Sequence, residues 1–470
     1  MRDLVLAVDL GSSWCKAAYI DATGRLVATG RAYTRAIQPS RDAMLPAFWQ
    51  AFCMAVRSAN EQLPTSLAPA AIGISCRAQF GVCLDAQGEA FWPVWDCQLH
   101  GDAPELKQAY APDLWGDQDP FAFGYGVRMG AMLAWLHQQR PDEWRRIVKV
   151  GALHNYLVYR LTGVWVTDPT SGAEAPTWPQ AILDLSGLLA SAFPVTLPAQ
   201  QIAGRLTAAA ATALGLPPGI PVVVGLHDGA AANVGTRAVE AGDACFTLGT
   251  NFVFRAVNGP RLLSGCFCYT VAPERWAWVN NVPSASTQFD LAAETLRPDL
   301  PSMAARHQVL GQLADAVDPG AQGLVIKRIL PGAEATLVQQ VQAARQAGYS
   351  DGVIYRALAE AIVVGVHQLM HTARRDGIRP RRYVATGGSA QNRHFLHVLT
   401  ALLGAPVEVG APEAGLLGAG MVAAVGGGWF PTVAAAMAQM TTPGPLVYPE
   451  PAAVRAYQAF WQSGDKEIER

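Results

Sequence analysis

The sequence predicts a two-domain α/β protein built from a duplicated unit, and three observations carry that expectation. The chain has 470 residues, more than one hydrophobic core normally serves. A strand, a glycine turn and a second strand open it: residues 4–8, then Asp9-Leu10-Gly11-Ser12-Ser13-Trp14-Cys15-Lys16, then 17–20. A hairpin of the same kind recurs in the second half, around Leu248-Gly249-Thr250-Asn251. Backbone amides of a glycine turn can hold an anion, so two such hairpins suggest a duplicated fold with a phosphate between the halves.

In chain order, residues 4–10, 14–20 and 25–30 read as strands joined by tight turns, the second being Asp21-Ala22-Thr23-Gly24. Residues 46–61 read as a helix, and 71–76 (AIGISC) as a buried strand leading into GVCLD and FWPVWD. Helical patterns follow at 127–140, stopped by Pro141, and at 150–161. Residues 176–220 carry few strong patterns and end in Pro217-Pro218-Gly219. The apolar strand 222–224 then delivers one acid, Asp228, into Gly229, Ala230, Ala231 and Ala232.

The second half repeats the theme, with a hairpin at 244–257, strands at 266–271 and 276–282, and helices near 284–296 and 351–375. A strand-loop-helix follows: 383–385, Thr386-Gly387-Gly388-Ser389, and 390–403. A short strand (PVEVG) and an Ala/Gly-rich helix at 415–425 close this half. The expected domains are therefore 1–235, 236–428 and a helical tail, 429–470, that packs back on the protein.

Composition narrows the function. Hydrophobic residues at 51 % and charged residues at 15 % describe a globular enzyme. A net charge of −2 leaves no electrostatic footprint for nucleic acid or an anionic membrane. No apolar stretch reaches the roughly 18 residues of a membrane span, and Asp3 and Asp9 interrupt the first apolar run, so it is a strand and not a signal peptide. Eight cysteines lie scattered without a Cys-x-x-Cys pair. Buried thiols in a reducing cytoplasm are expected. A homodimer stays open.

Four motifs carry chemistry. Asp9 and Lys16 flank the Gly11-Ser12-Ser13 turn, whose amides could cradle phosphate oxygens while Lys16 adds charge and Asp9 reaches a phosphate-bound cation. Gly249, Thr250 and Asn251 offer a second turn of the same kind. Asp228, at the end of an apolar strand, could accept a proton from a hydroxyl or cap the helix that starts at Gly229. Gly387-Gly388-Ser389 either presents helix amides to a nucleotide, with Gln391 and Asn392 as polar partners, or is a plain strand-to-helix turn. The run Gly415-Leu-Leu-Gly418-Ala-Gly420 is no dinucleotide fingerprint, since no strand runs into it and no acid follows. It reads as close helix packing. Absence of Gly-Lys-Ser/Thr excludes a P-loop, absence of Gly-x-Ser-x-Gly argues against an α/β-hydrolase, and His367 and His371 lack a zincin's intervening Glu.

Taken in order, DLGSSWCK, AIGISC…LD…VWD, LTGVWVTDPTSGA, GLHDGAAANVG, TLGTN and TGGSAQN resemble the FGGY carbohydrate kinases, with xylulokinase-like members nearest, from about residue 4 to about 426. The resemblance implies an actin-like ATPase fold: two ribonuclease-H-like domains with a cleft between them, sugar on the first and ATP with Mg²⁺ on the second. It makes Asp228 the catalytic base. Asp9, Gly11, Ser12, Ser13 and Lys16 become the first phosphate loop, with Asp9 toward the metal. Gly249, Thr250 and Asn251 become the second, and Gly387, Gly388, Ser389 and Asn392 the adenosine loop.

The sugar pocket departs from the pattern. Xylulokinases usually carry Met-His after Ser-Gly-Gln, and glycerol kinases Arg-Glu, whereas this chain reads Ser75-Cys76-Arg77-Ala78-Gln79. Gln79 can still bond sugar hydroxyls, and Ala78 leaves room. After Trp95, Asp96 supplies an acid one place early. Arg77 could face a sugar-acid carboxylate or pair with a neighbouring Asp. The expected activity is phosphorylation of a small sugar or polyol, with a ketopentose such as xylulose foremost. An actin/Hsp70-like ATPase and a degenerate sugar sensor are the competing readings.

Overall fold

The computed structural model describes residues 4–11, 13–34, 44–63, 68–77, 80–96, 133–134, 136–171, 183–184, 186–259, 267–330 and 332–468. Of the residues singled out above, Asp3, Ser12, Ala78, Gln79 and residues 127–132 of the expected helix 127–140 lie outside the described residues, and Asp96 is described by its backbone alone. Two units form. One takes in residues 1–239, 260–276 and 413–442, the other 240–259, 277–412 and 443–470.

Unit 1 is built on a sheet whose first three strands are β1 (Val5–Leu10), β2 (Trp14–Ile20) and β3 (Leu26–Tyr33). They form an antiparallel meander with Asp9 opposite Lys16. Helix α1 (Met44–Asn60) covers it, and β4 (Ile72–Cys76) then adds parallel to β1, with Asp9 opposite Ser75. The strand reads as an uninterrupted buried run, as a parallel strand covered on both faces should. β5 (Phe80–Leu84), β6 (Ala90–Asp96) and β7 (Lys149–Ala152) make a small separate sheet in the order β6-β5-β7.

The expectation of one helix over 150–161 is corrected here. Lys149–Ala152 is extended, because it pairs with β5 (Val82 opposite Gly151), and α2 (Leu153–Thr162) begins only at Leu153. An apolar run shared by a strand end and a helix start has no periodicity to separate them. The weakly patterned 176–220 region contains β8 (Ile202–Arg205) and α3 (Ala208–Leu214). β9 (Pro221–Val223) and β10 (Leu226–His227) both run parallel to β4, and α4 (Asp228–Gly235) follows at once. The main sheet order is β8-β9-β4-β1-β2-β3, with β10 also on β4. Its core includes Leu6, Val8, Phe52, Val56, Ile72, Ile74, Leu157 and Val222.

Unit 2 begins with the hairpin β11 (Asp243–Leu248) and β12 (Phe252–Asn258). After β13 (Phe267–Ala272), whose residues belong to unit 1, and β14 (Arg275–Val282) come α5 (Ala285–Leu296), α6 (Met303–Asp315), α7 (Glu334–Gln346) and α8 (Asp351–Arg375). β15 (Arg382–Thr386) pairs parallel to β11, and α9 (Arg393–Leu403) leads to β16 (Val407–Val409), parallel to β15. The helix expected from Ala390 starts three residues later, because Gly388–Gln391 make a tight turn and Asn392 caps α9 instead. By length and composition α8 could cross a membrane. It buries Ile354, Leu358, Ile362 and Val366 within the unit, and its Arg356 and Glu360 bond each other at 3.0 Å.

Helix α10 (Ala414–Gly426) packs in unit 1 against α4 and β1, and α11 (Val433–Met440) follows it there. Its small residues permit this approach, since a Cβ on Gly418 would fall on the carbonyl oxygen of Ala231. The Gly-x-x-Gly-x-Gly run is thus a packing motif. The chain ends in β17 (Leu446–Val447) on β16 and α12 (Pro451–Ile468) on α9.

Candidate active site

Three parallel strands of unit 1 bring the acids together. Asp9 on β1 and Leu226 on β10 both lie opposite Ser75 of β4. Asp228, two residues past Leu226, therefore emerges beside Asp9 at the carboxyl ends of the strands. Open α/β sheets bind ligands there. Arg77 immediately follows β4, between the ends of β1 and β10, and its backbone N–H reaches the Leu10 carbonyl at 3.4 Å.

Asp9 is a perturbed carboxylate. Burial raises its pKa from 3.8 to about 6, with the neighbouring charges of Asp228 and Glu413 adding to the rise. The Ser75 hydroxyl, donating to Asp9 Oδ1 at 2.7 Å, and the charge of Lys16 pull the other way. Across the Gly11 turn, closed by Gly11 N–H to the Trp14 carbonyl at 3.0 Å, Lys16 stands opposite Asp9. Lys16 Nζ is 2.6 Å from Glu413 Oε2, and both side chains are about one-third exposed (34 % and 39 %). Ser13 lies in the same turn and receives the Thr34 N–H on its carbonyl at 2.9 Å. Gly415, in the first turn of α10, lets the acid approach: a Cβ there would lie 2.9 Å from Asp9 Oδ2.

Asp228 is the first residue of α4, and its side chain is 37 % exposed. Its Oδ1 accepts the Gly229 N–H at 2.7 Å, but His227 and not Asp228 stands at the N-cap of α4, so the capping role weighed from sequence is corrected: Asp228 is already the first helical residue. The same oxygen lies 2.8 Å from His227 Nε2. His227 is buried, as are His154 and Asp168 deeper in the unit, whose Nδ1 and Oδ1 stand 3.7 Å apart, too far for a hydrogen bond. Burial lowers the pKa of His154, which keeps the ring neutral.

In unit 2, Leu248 pairs with Phe252 and closes the Gly249-Thr250-Asn251 turn. Ser286 donates to the Gly249 carbonyl at 2.5 Å, and Asn251 Oδ1 accepts the Ser284 N–H at 3.0 Å, so helix α5 fixes the turn. Gly387 has φ +93° and passes the end of β11 so closely that a Cβ would lie 2.8 Å from the Leu248 carbonyl. This brings the Gly387-Gly388-Ser389 loop beside the hairpin turn. Gly388 faces open space. Asn392 caps α9 through the Phe395 N–H at 3.1 Å and donates to the Tyr355 hydroxyl at 2.7 Å. Tyr355 in turn meets His307 Nδ1 at 2.7 Å, and His307 Nε2 meets Asp290 at 2.8 Å. The adenosine-loop candidate thus rests on a polar chain that runs from Asn392 through buried Tyr355 to the half-exposed Asp290.

Sequence reasoning gave no role to Ser75 or His227. A serine inside an otherwise apolar buried strand was the visible signal for Ser75. For His227, as for the pairing of Glu413 with Lys16, only proximity in space reveals the partner.

Residues 4–235 match the N-terminal domain of the FGGY family of carbohydrate kinases, and residues 265–427 match its C-terminal domain. The chain is 25 % identical to the autoinducer-2 kinase of Klebsiella pneumoniae over 474 residues, covering 92 % of this chain and 87 % of that one. It is 26 % identical to the xylulose kinase of Escherichia coli over 431 residues, 86 % of each. The crystal structure of xylulose kinase from Rhodospirillum rubrum superposes with a TM-score of 0.78 at 21 % identity, covering 99 % of this chain and all (100 %) of that one. That likeness shows the two-domain actin-like ATPase fold.

Proposed function

The chain belongs to the FGGY family of carbohydrate kinases, and from that premise we propose that it phosphorylates one hydroxyl of a small sugar or polyol, a ketopentose such as xylulose foremost, using ATP and Asp228 as general base. The observation that carries the reading is Asp9 and Asp228 at the carboxyl ends of strands flanking β4, with Arg77 between them. A xylulose kinase among its relatives supports the ketopentose.

In this reading the N-terminal domain, 1–235, takes the sugar and the C-terminal domain, 236–428, the nucleotide, although residues 413–428 pack in unit 1. Arg77, Ala78, Gln79 and Asp96 line the sugar side. Gly11, Ser12, Ser13 and Lys16 form the first phosphate loop, and Gly249, Thr250 and Asn251 the second. Gly387, Gly388, Ser389 and Asn392 carry the adenosine. Phosphoryl transfer asks little covalent chemistry of a protein, so positioning and electrostatics supply most of the rate. Asp228 takes the hydroxyl proton as the oxygen attacks, worth roughly 10²–10⁴-fold.

Mg²⁺ fits the residues present. Mg²⁺ is typically held by one or two carboxylates together with substrate phosphates, and among the described residues no all-protein cage of three His, Cys, Asp or Glu exists. Asp9 is a carboxylate whose burial disfavours its charge, an imbalance that a cation relieves. When bound, the ion would neutralise phosphate charge. Buried thiols such as Cys15, Cys76 and Cys83 suit a reducing cytoplasm.

The test is ADP release by the purified protein with ATP and Mg²⁺ against pentuloses, hexuloses, pentitols, glycerol, erythritol and aldonic acids. A strong response to a pentulose supports the reading. A response confined to aldonic acids would overturn the ketopentose and give Arg77 a carboxylate to bind, and a flat panel would remove the transfer reading altogether.

A further inference from the structure

His227, next to Asp228, is held on several sides. Its strand, β10, lies parallel to β4 with His227 opposite Cys76. Its backbone N–H donates to Thr170 Oγ1 at 2.8 Å, and its ring meets Tyr269 edge-on with centroids 4.6 Å apart. The side chain is 6 % exposed, and Nε2 sits 2.8 Å from Asp228 Oδ1. A carboxylate oxygen only accepts, so Nε2 carries the hydrogen. Oδ1 therefore receives two donors, this ring and the Gly229 N–H at 2.7 Å.

We propose that His227 is the positioning residue for Asp228, fixing the rotation of its carboxylate so that Oδ2, which neither of these bonds uses, meets the sugar hydroxyl. The inference rests on the reading of Asp228 as base. In the step, the substrate O–H bond breaks toward Asp228 and its oxygen bonds the γ-phosphorus. The β–γ bridging P–O bond breaks, ADP leaves with that electron pair, and the proton ends on Asp228. His227 keeps its own hydrogen throughout and touches no reacting atom. A carboxylate on the first residue of a helix otherwise turns freely about two side-chain bonds. Small misplacements of a reacting group cost on the order of 10²-fold in rate.

The test compares His227→Ala, His227→Phe and His227→Gln for ADP release with ATP, Mg²⁺ and whichever sugar of the panel gives the highest rate. The Phe variant keeps an aromatic ring against Tyr269 without a donor, and the Gln variant keeps a donor of similar reach. The expected result is kcat lowered about 10–100-fold in the Ala and Phe variants, KM for ATP within about twofold, and kcat restored to within about fivefold by Gln. Near-normal kcat in the Phe variant, or a Gln variant as slow as the Phe variant, would overturn the proposal. Asp228→Asn separates the two ideas: turnover in that variant removes the base reading itself. Should no sugar respond, or the variants fail to fold, ¹⁵N-histidine spectra of the wild-type protein decide the pairing. An Nε2–H tautomer at His227 whose signal shifts in Asp228→Asn supports it, and an Nδ1–H tautomer overturns it.

Discussion

Lys16 Nζ lies 2.6 Å from Glu413 Oε2, joining residues 397 positions apart in the chain. The pair ties the first hairpin to the residue preceding α10, inside one unit. A half-exposed ion pair of this kind stabilises by about 0–1 kcal/mol. In this state the one cation of the turn already has a carboxylate.

If Lys16 serves ATP phosphates, it must exchange Glu413 for them. Lys16→Met is expected to lower kcat/KM for ATP roughly 10²-fold, the cost of losing one charge-stabilising contact. Glu413→Gln should leave the melting temperature nearly unchanged and tighten ATP a few-fold. Calorimetric titration of ATP into both variants checks this, and equal affinities in wild type and Lys16→Met would remove Lys16 from the site.

Asp9 gives a prediction with a definite sign. Its pKa is raised from 3.8 to about 6, first by burial, so the folded state holds its proton more tightly than the unfolded state does. Wild-type stability is fullest on this account below pH 4 and falls as pH rises toward 6, with the penalty complete above that. Asp9→Asn should consequently be more stable at pH 7, by about 1–2 kcal/mol once its partial exposure is allowed for, and catalytically dead. Melts of both proteins from pH 4 to 7 should converge at the acid end. A constant gap across that range would show that burial of Asp9 carries no such penalty.

Two glycines should behave oppositely. Gly418→Ala places a methyl on the Ala231 carbonyl, so overpacking of about 2–3 kcal/mol outweighs the roughly 1 kcal/mol gained in helix propensity. Gly388 has nothing within 4 Å. Gly388→Ala should melt within about 0.5 kcal/mol of wild type while weakening ATP at least tenfold, because its openness matters only to a ligand. Unchanged ATP binding in Gly388→Ala would detach that loop from the nucleotide.

Tyr457 of α12 donates to Glu360 Oε1 at 2.8 Å and accepts from Arg356 at 3.1 Å, deep under the helix. Glu360 also takes the Gly320 N–H at 2.9 Å. Tyr457→Phe leaves a buried pair short of one partner, at a cost of about 1–2 kcal/mol. Urea denaturation should show it as a lower midpoint at unchanged slope. A neutral substitution would mean that the ion pair satisfies itself.

Much of the scaffold was legible because local chemistry was unambiguous. An apolar strand ending in Asp9 and a glycine turn can hardly be anything but a hairpin, and 71–76 is too short and too apolar for a surface helix. Asp228 stood out as an acid where packing wanted none. What stayed hidden depends on tertiary partners. Lys149–Ala152 is a strand only because β5 is there to pair with it. Helices α6 and α7 lack a clean apolar stripe, so their periodicity was too faint to read. Glu413 has no sequence neighbour that announces Lys16, and the pinning of Asp228 by His227 depends on a rotamer set by Thr170 and Tyr269 from two other segments.

Whether Asp228 accepts the proton of the attacking hydroxyl is decided by sugar-dependent ADP release from wild type and Asp228→Asn at matched ATP occupancy. Turnover should fall at least 10³-fold in the variant, with the ATP dissociation constant unchanged within about twofold. Sugar-dependent turnover near the wild-type rate in Asp228→Asn would contradict that role.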